Sequence, residues 1–327
     1  MKILSRVGVP LMIYAFLIVM TIFALFPVFF VVQAAFRPGQ SLYTLTLSLW
    51  PDHPTWDNFT YIFTQIPFPL WLRNSLGVSV GTMIAGLIGS ATGAYALSRF
   101  RFAGKQITLI LLLAIQAFPS VLALIPIYLI LKTIGLVGSA TGAYALSRFR
   151  FAGKQMTLIL LLAIQAFPSV LALIPIYLIL KTIGLVGSPF GLVLAYMSVA
   201  LVFCTWNLKG YFDTIPRELD EAALIDGCTV TQAFIRIVLP LSLPALAVTA
   251  LLMFLTAWNE WVMASVLLLD ENTYTVPVGL WGLQNDYRVP WGYFAAASII
   301  VSVPVMVLFL GLQRYFRTGL TVGGVKG

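Results

Sequence analysis

Long apolar runs alternate with short polar segments along the chain, and this pattern predicts helices that cross a membrane. Runs of about 20 apolar residues are long enough to span a hydrocarbon core of about 30 Å as helices. Because every backbone N–H group in lipid needs a partner within its own segment, we expect an all-α polytopic membrane protein. The main apolar runs cover residues 9–32, 76–97, 107–131, 191–208, 243–268 and 293–312.

The composition supports a membrane protein and argues against several other classes. The chain is 60% hydrophobic and only 9% charged, with a mean hydropathy of +0.98. Its net charge of +8 does not indicate nucleic-acid binding, because Lys and Arg lie at the ends of apolar runs, as in cytoplasmic loops of membrane proteins. Two cysteines and one histidine provide no disulfide framework and no metal-ligand spacing. We therefore expect neither a metal nor another cofactor.

The basic residues also predict the orientation of the chain. Lys2 and Arg6 precede the first apolar run and place the N-terminus in the cytoplasm. Residues 76–97 end at a basic cluster that begins at Arg99, which marks the cytoplasmic side again. Basic residues after the last run place the C-terminus on the same side. Both termini are thus predicted to be cytoplasmic, with the polar residues 37–70 outside.

A long internal repeat interrupts this simple alternation. Residues 89–137 and 138–186 are identical except for Ile107 in the first copy and Met156 in the second, which predicts a tandem duplication of 49 residues. One added span would invert everything downstream of it. A hairpin over residues 107–147 would preserve the orientation. The alternative is that the extra copy stays outside the bilayer as a long loop.

The most polar stretch after residue 73 is the loop over residues 209–242, "KGYFDTIPRELDEAALIDGCTVTQAFIRIVLP" and its flanks. We expect a short helix capped by Thr214 and ended by Gly227 in a left-handed conformation. Thr229 or Thr231 would start a second helix that runs to Pro240. The small residues of the first helix would allow another protein to approach closely. A helix lying in the lipid headgroup region is the alternative.

This loop carries a pattern that resembles a known family. Glu-Ala-Ala is followed by a glycine six residues after the Glu, and Ile-x-Leu-Pro follows further on. Both features resemble the EAA loop of binding-protein-dependent ABC importer permeases. The segment "AWNEWVMA" and the tail "GLTVGGVKG" are similar to the carbohydrate branch, and to the smaller permease subunit of maltose-type transporters. The matching positions are Glu221, Ala222, Ala223, Gly227, Ile237, Leu239 and Pro240.

The resemblance implies a fold and a set of partners. It implies a type I ABC importer permease over residues 1–327, with six core transmembrane helices plus the extra hairpin. The expected partners are a second homologous permease, a cytoplasmic ATPase dimer and an extracytoplasmic sugar-binding protein, in a bacterial or archaeal cytoplasmic membrane. The residues implied to couple to the ATPase are Glu221, Ala222, Ala223, Asp226, Gly227, Leu239 and Pro240. The tail residues implied to contact it are Gly323, Gly324 and Lys326.

No catalytic role is expected for the chain itself. It contains no glycine-rich phosphate-binding loop of the GxxxxGK[ST] kind, so ATP hydrolysis would belong to a partner subunit. An importer permease for another solute is one alternative. An ion-coupled secondary transporter is another, but such a protein would need several ionisable groups inside the membrane.

Trp258, Asn259 and Glu260 form the polar part of a predicted span. An acid inside a bilayer is costly unless it is paired or hydrated. One interpretation places these residues on the translocation path, where tryptophan rings would face sugar rings. The other is a polar contact between helices that fixes their packing.

Overall fold

The computed structural model describes residues 2–39, 50–100, 108, 173–284 and 290–322. All regular elements in these residues are helical, as expected from the apolar pattern. In chain order the helices are α1 (Lys2–Ala35), α2 (Asp57–Thr64), α3 (Phe68–Arg99), α4 (Leu173–Thr182), α5 (Pro189–Phe212), α6 (Glu218–Ile225), α7 (Val230–Leu241), α8 (Leu243–Asn259), α9 (Val262–Leu267), α10 (Val276–Gly282) and α11 (Trp291–Val322).

Three helices in the described part are long and apolar enough to cross a membrane unbroken: α1, α3 and α11. They contain the runs predicted at residues 9–32, 76–97 and 293–312. Up to two further spans arise if each bent pair of helices counts as one, and the pair α7 and α8 is bent by 80°. The predicted hairpin over residues 107–147 lies outside the described residues.

The prediction of one continuous helix over residues 243–268 is wrong. Helix α8 ends at Asn259, Glu260 is extended with a ψ of 126°, and α9 begins at Val262. The carboxylate of Glu260 accepts hydrogen bonds from the backbone N–H groups of Met263 and Ala264, at 2.8 and 3.2 Å. The Glu260 side chain thus accepts hydrogen bonds from first-turn N–H groups of α9 that have no partner within that helix. The span is therefore broken at Glu260.

The described chain divides into two compact units, one with residues 1–72 and 279–306 and the other with residues 73–278 and 307–327. In the first unit, Asn58 is buried and its Nδ2 donates to the carbonyl oxygens of Ala35 and Arg37, at 2.9 and 3.0 Å. These two hydrogen bonds connect α2, which contains Asn58, to the C-terminal end of α1. The apolar side chains of α1 from Met12 to Phe30 are largely exposed, as expected for a helix surrounded by lipid.

In the second unit, glycines of α3 allow two other helices to approach closely. A Cβ atom added to Gly86 would lie 2.9 Å from the sulfur of Met253 on α8. One added to Gly89 would lie 3.0 Å from a methyl group of Leu201 on α5. The small-residue spacing of this helix therefore serves close packing, as small residues do between membrane helices.

Both ends of the repeated region belong to the second unit. Residues 89–99 of the first copy complete α3, and residues 173–182 of the second copy form α4. Ile176 and Leu180 of α4 are buried against Leu192 of α5. The start of the first copy packs in a different apolar cluster of the same unit, with Ala91, Ala94 and Tyr95 buried beside Phe212 and Phe234.

Candidate functional site

Helix α6 begins at Glu218, and the prediction that Thr214 caps it is wrong. The Thr214 hydroxyl donates to the carbonyl of Tyr211 at 2.7 Å, so it serves the turn that ends α5. Arg217 occupies the cap position and makes no capping bond with its side chain. The first turn of α6 instead carries three acids, which the positive end of the helix dipole favours.

The predicted left-handed turn at Gly227 is confirmed. Gly227 has a φ of +86°, and its N–H donates to Leu224 O at 3.1 Å. The N–H of Cys228 donates to Ala223 O at 2.9 Å. This pair of bonds is the Schellman motif, which satisfies the last carbonyl groups of a helix. An added Cβ would meet nothing within 4 Å, so the backbone conformation rather than space requires glycine here.

The second helix of the loop starts at Thr229. The Thr229 hydroxyl accepts from Gln232 N at 3.3 Å, while the Gln232 side chain accepts from Thr229 N at 2.8 Å. This capping box selects Thr229 over Thr231 as the start. The helix widens into a π-helical turn over Phe234–Val238 and ends at the 80° bend before α8.

Two faces of α6 differ in exposure. Among the matched family residues, Glu221, Ala222, Asp226, Gly227 and Pro240 are exposed, Leu239 is half-buried, and Ala223 is buried. The exposed face also carries Leu219, Leu224 and Ile225, and Ile225 is 86% exposed. The structure therefore assigns Ala223 to internal packing and leaves an exposed face that carries both apolar and acidic side chains.

The buried face of α6 is fixed to the end of α3 by charge. Arg99 Nε lies 2.8 Å from Asp220 Oδ2, and both side chains are almost fully buried. The Nε–H bond is not aligned with that oxygen, so the contact is an ion pair rather than a directed hydrogen bond. Tyr95 Oη donates to the other carboxylate oxygen at 3.3 Å, and Arg99 Nη2 donates to Ile215 O at 3.0 Å.

Further contacts join α3 to the chain that precedes α6. Ser98 Oγ donates to Asp213 Oδ1 at 2.6 Å, and Arg217 Nη2 donates to Ser98 O at 3.1 Å. Lys209 pairs with the second carboxylate oxygen of Asp213. In the sequence, Arg99 indicated only the orientation of the chain. The spacing of Asp220 and Ala223 did indicate a shared buried face, because residues three apart lie on one face of a helix.

The second candidate group lies at the break between α8 and α9. Tyr196 Oη on α5 donates to Glu260 Oε2 at 2.8 Å, so this acid makes a polar contact between helices. Trp258 is 3% exposed and stacks on Phe254, and its Nε1 has no partner among the described residues. Asn259 is exposed and donates to Leu255 O at 2.9 Å. The interpretation of Glu260 as a packing contact has structural support.

In the part of the chain that the structure describes, these features define a helical protein with helices long and apolar enough to cross a membrane and an exposed helix that ends at a glycine. A family described as the binding-protein-dependent transport system inner membrane component matches residues 134–322, more than half of the chain. The chain belongs to this family.

Relatives match over nearly the whole chain. The galactooligosaccharides transport system permease protein GanQ of Bacillus subtilis is 34% identical over 318 residues, covering 96% of this chain and 94% of its own length. The maltose/maltodextrin transport system permease protein MalG of Escherichia coli K12 is 35% identical, covering 93% and 91%. MalG of Yersinia pestis is 34% identical, covering 93% and 89%.

A solved structure confirms the fold. The chain superposes on a bacterial ABC transporter involved in the import of the acidic polysaccharide alginate, with a TM-score of 0.68 and 19% identity. The match covers 95% of this chain and 98% of that one. The expected ABC importer permease fold is therefore correct.

Proposed function

We propose that the chain is the membrane-spanning subunit of an ATP-driven importer for a sugar or oligosaccharide. In this proposal it forms half of the pore with a second homologous permease and receives solute from an extracytoplasmic binding protein. The support is its family, together with relatives that are named for galactooligosaccharides and for maltose or maltodextrin. ATP hydrolysis belongs to a separate ATPase dimer.

The exposed face of α6 is the proposed docking site for that ATPase. The observation that carries this proposal is the exposure of Leu224 and Ile225 on a helix that also exposes Glu218 and Glu221. A helix that lies in headgroups carries Lys and Arg on its polar face, whereas α6 carries acids and no basic residue. Acids are repelled by anionic lipids. A protein partner therefore fits this surface better than the membrane does.

The remaining candidate residues complete the proposal. The tail contacts at Gly323, Gly324 and Lys326 lie outside the described residues and stay predictions. Asn259 is the exposed member of the proposed translocation path, since Trp258 is buried and Glu260 holds the start of α9. Both termini are proposed to lie in the cytoplasm of a bacterium or archaeon.

Thiol labelling tests the docking site. Cys228 follows the Gly227 turn and is half-buried, whereas Cys204 is buried in α5, so a maleimide should report on the loop through Cys228. We expect the ATPase subunit to co-purify with the chain and to slow labelling of Cys228. We expect Ile225→Asp to abolish both effects, because it replaces the most exposed apolar side chain of this face with a charge.

Leu269→Asp is the matched control. Leu269 is 69% exposed but belongs to the segment after α9, so this variant should bind the ATPase like the parent chain. Co-purification that survives Ile225→Asp would exclude this face as the docking site. Solute uptake without any ATPase subunit would favour the secondary transporter instead.

A further inference from the structure

We propose that Arg99 and Asp220, with Tyr95 and Ser98, form a rigid joint through which movement of α6 passes directly to α3. This inference rests on the proposed docking of an ATPase at α6. Arg99 is a positioning residue in this scheme, because it contacts neither solute nor nucleotide. The joint is defined as the contacts of Tyr95, Ser98 and Arg99 with residues 213–220.

The joint is built from several contacts that restrain each other. Asp220 receives Arg99 and Tyr95 on its two carboxylate oxygens, at 2.8 and 3.3 Å. Arg99 also donates a hydrogen bond to the carbonyl oxygen of Ile215, and Ser98 donates one to the carboxylate of Asp213. The end of α3 is therefore bonded both to α6 and to the residues that precede α6. Separation of α6 from the end of α3 would lengthen these contacts.

Burial makes this connection stiff. The side chains of Arg99 and Asp220 are 8% and 11% exposed. Removing one partner of a buried ion pair leaves an uncompensated charge, so separating the two is strongly unfavourable. Lys209 and Arg217 are also bonded here, to the carboxylate of Asp213 and to the carbonyl oxygen of Ser98. Sliding of α6 past the end of α3 would leave these groups unsatisfied.

A third helix joins the same cluster. The ring of Tyr95 lies 4.4 Å from that of Phe234 on α7, and both pack with Phe212 and Ile215 in one apolar cluster. The joint thus reaches both sides of the Gly227 turn. Helices α6 and α7 and the end of α3 are expected to move as one body.

The repeat provides an internal control for this inference. Tyr144, Ser147 and Arg148 of the second copy have the same sequence context as Tyr95, Ser98 and Arg99. The family match begins at residue 134 and so includes the second copy rather than the first. The described contacts nevertheless belong to the first copy. The proposal therefore requires Arg99 and does not require Arg148.

Pulsed electron resonance between two spin labels tests the joint without knowledge of the solute. Labels at Gly77→Cys on α3, where an added side chain meets nothing within 4 Å, and at Glu218→Cys on α6 would be placed in a chain lacking Cys204 and Cys228. The full chain would be assembled with its partner permease and ATPase, nucleotide-free or trapped with ATP and vanadate. The mean distance should agree in the two states to within about 2 Å, the size of small helix shifts.

The variants separate positioning from folding. Arg99→Ala should lose this constancy, with a distance that differs between the two states by more than about 2 Å. Arg99→Lys keeps the charge and should restore the constant distance, and Arg148→Ala should behave like the parent. If Arg99→Ala does not assemble, Tyr95→Phe becomes the test variant, because it removes one oxygen from the joint. Tyr144→Phe is then its control.

Two results would overturn the proposal. One is a distance in the parent chain that changes by more than about 2 Å on trapping, because α6 would then move independently of α3. The other is a constant distance in both Arg99→Ala and Tyr95→Phe. Failure of the ATPase to co-purify with the parent chain would count against the proposed function, a result distinct from both.

Discussion

The turn at Gly227 makes a quantitative prediction. The change is Gly227→Ala, at a residue with a φ of +86°. A left-handed conformation costs an L-residue about 1–2 kcal/mol, whereas glycine adopts it freely. The added methyl group meets nothing within 4 Å, so no steric term adds to this cost. The population of correctly ended α6 should therefore fall by a factor of about 5 to 30.

Hydrogen exchange measures this change at the affected groups. The N–H groups of Gly227 and Cys228 are bonded to Leu224 O and Ala223 O only while the turn is formed. Their protection should fall by about 5- to 30-fold in Gly227→Ala, because exchange follows local opening. Asparagine tolerates the left-handed conformation better, so Gly227→Asn should lose less protection.

A second glycine provides the control. Gly210 lies within α5, has no positive φ, and has open space around it. Gly210→Ala should leave the protection of Cys228 unchanged, since alanine is the better helix former. Equal protection of Cys228 in Gly227→Ala and in the parent would show that the left-handed backbone is not what selects glycine.

Gly227→Asp adds a charge to the proposed docking face and should lower uptake while the chain still inserts.

Three further predictions concern the rest of the chain. Deleting residues 89–137 joins Ile88 to Gly138, so that Tyr144, Ser147 and Arg148 take the places of Tyr95, Ser98 and Arg99. The resulting 278-residue protein should assemble and take up solute at least as well as the full chain, whereas stable insertion with lost uptake would show that the duplication is functional. Glu260→Ala leaves two amide groups without their acceptor and the Tyr196 hydroxyl with only the carbonyl oxygen of residue 260, at 3.4 Å. The free energy of unfolding should therefore fall by about 1–3 kcal/mol, seen as a lower midpoint of thermal unfolding in detergent, while Tyr196→Phe should lower it less. Gly279→Ala places a Cβ 2.2 Å from the ring of Trp71 and should cost about 1–3 kcal/mol by the same assay, whereas Gly282→Ala, with open space, should not.

Local patterns in the sequence predicted much of this structure. The apolar runs at residues 9–32, 76–97 and 293–312 lie within long helices, because hydrophobic length alone specifies a span. Gly227 was identified because a helix end is a local event with its own residue preference. The start of the second helix was predicted at Thr229 or Thr231 for the same reason, and the structure selects Thr229.

Contacts between distant residues account for what the sequence did not reveal. The contact of Glu260 with another helix is made by Tyr196, which is 64 residues away. The role of Asp220 depends on Tyr95, 125 residues away, and on its neighbour Arg99. Such pairs become visible only when the helices are packed, because a charged residue at the end of a span has the same local pattern whether or not a partner receives it.

Because α3 is continuous, the number of residues between two of its contacts fixes their separation and their relative rotation. Gly86 and Gly89 fix its position against α8 and α5, and no break separates them from Arg99. Each residue advances a helix by about 1.5 Å and turns it by about 100°. Inserting a single residue between Gly89 and Arg99 would thus swing the guanidinium away from Asp220 while changing no side chain of the joint. Both the length and the angular phase of this segment are therefore part of the site, even though the residues between the contacts bind nothing.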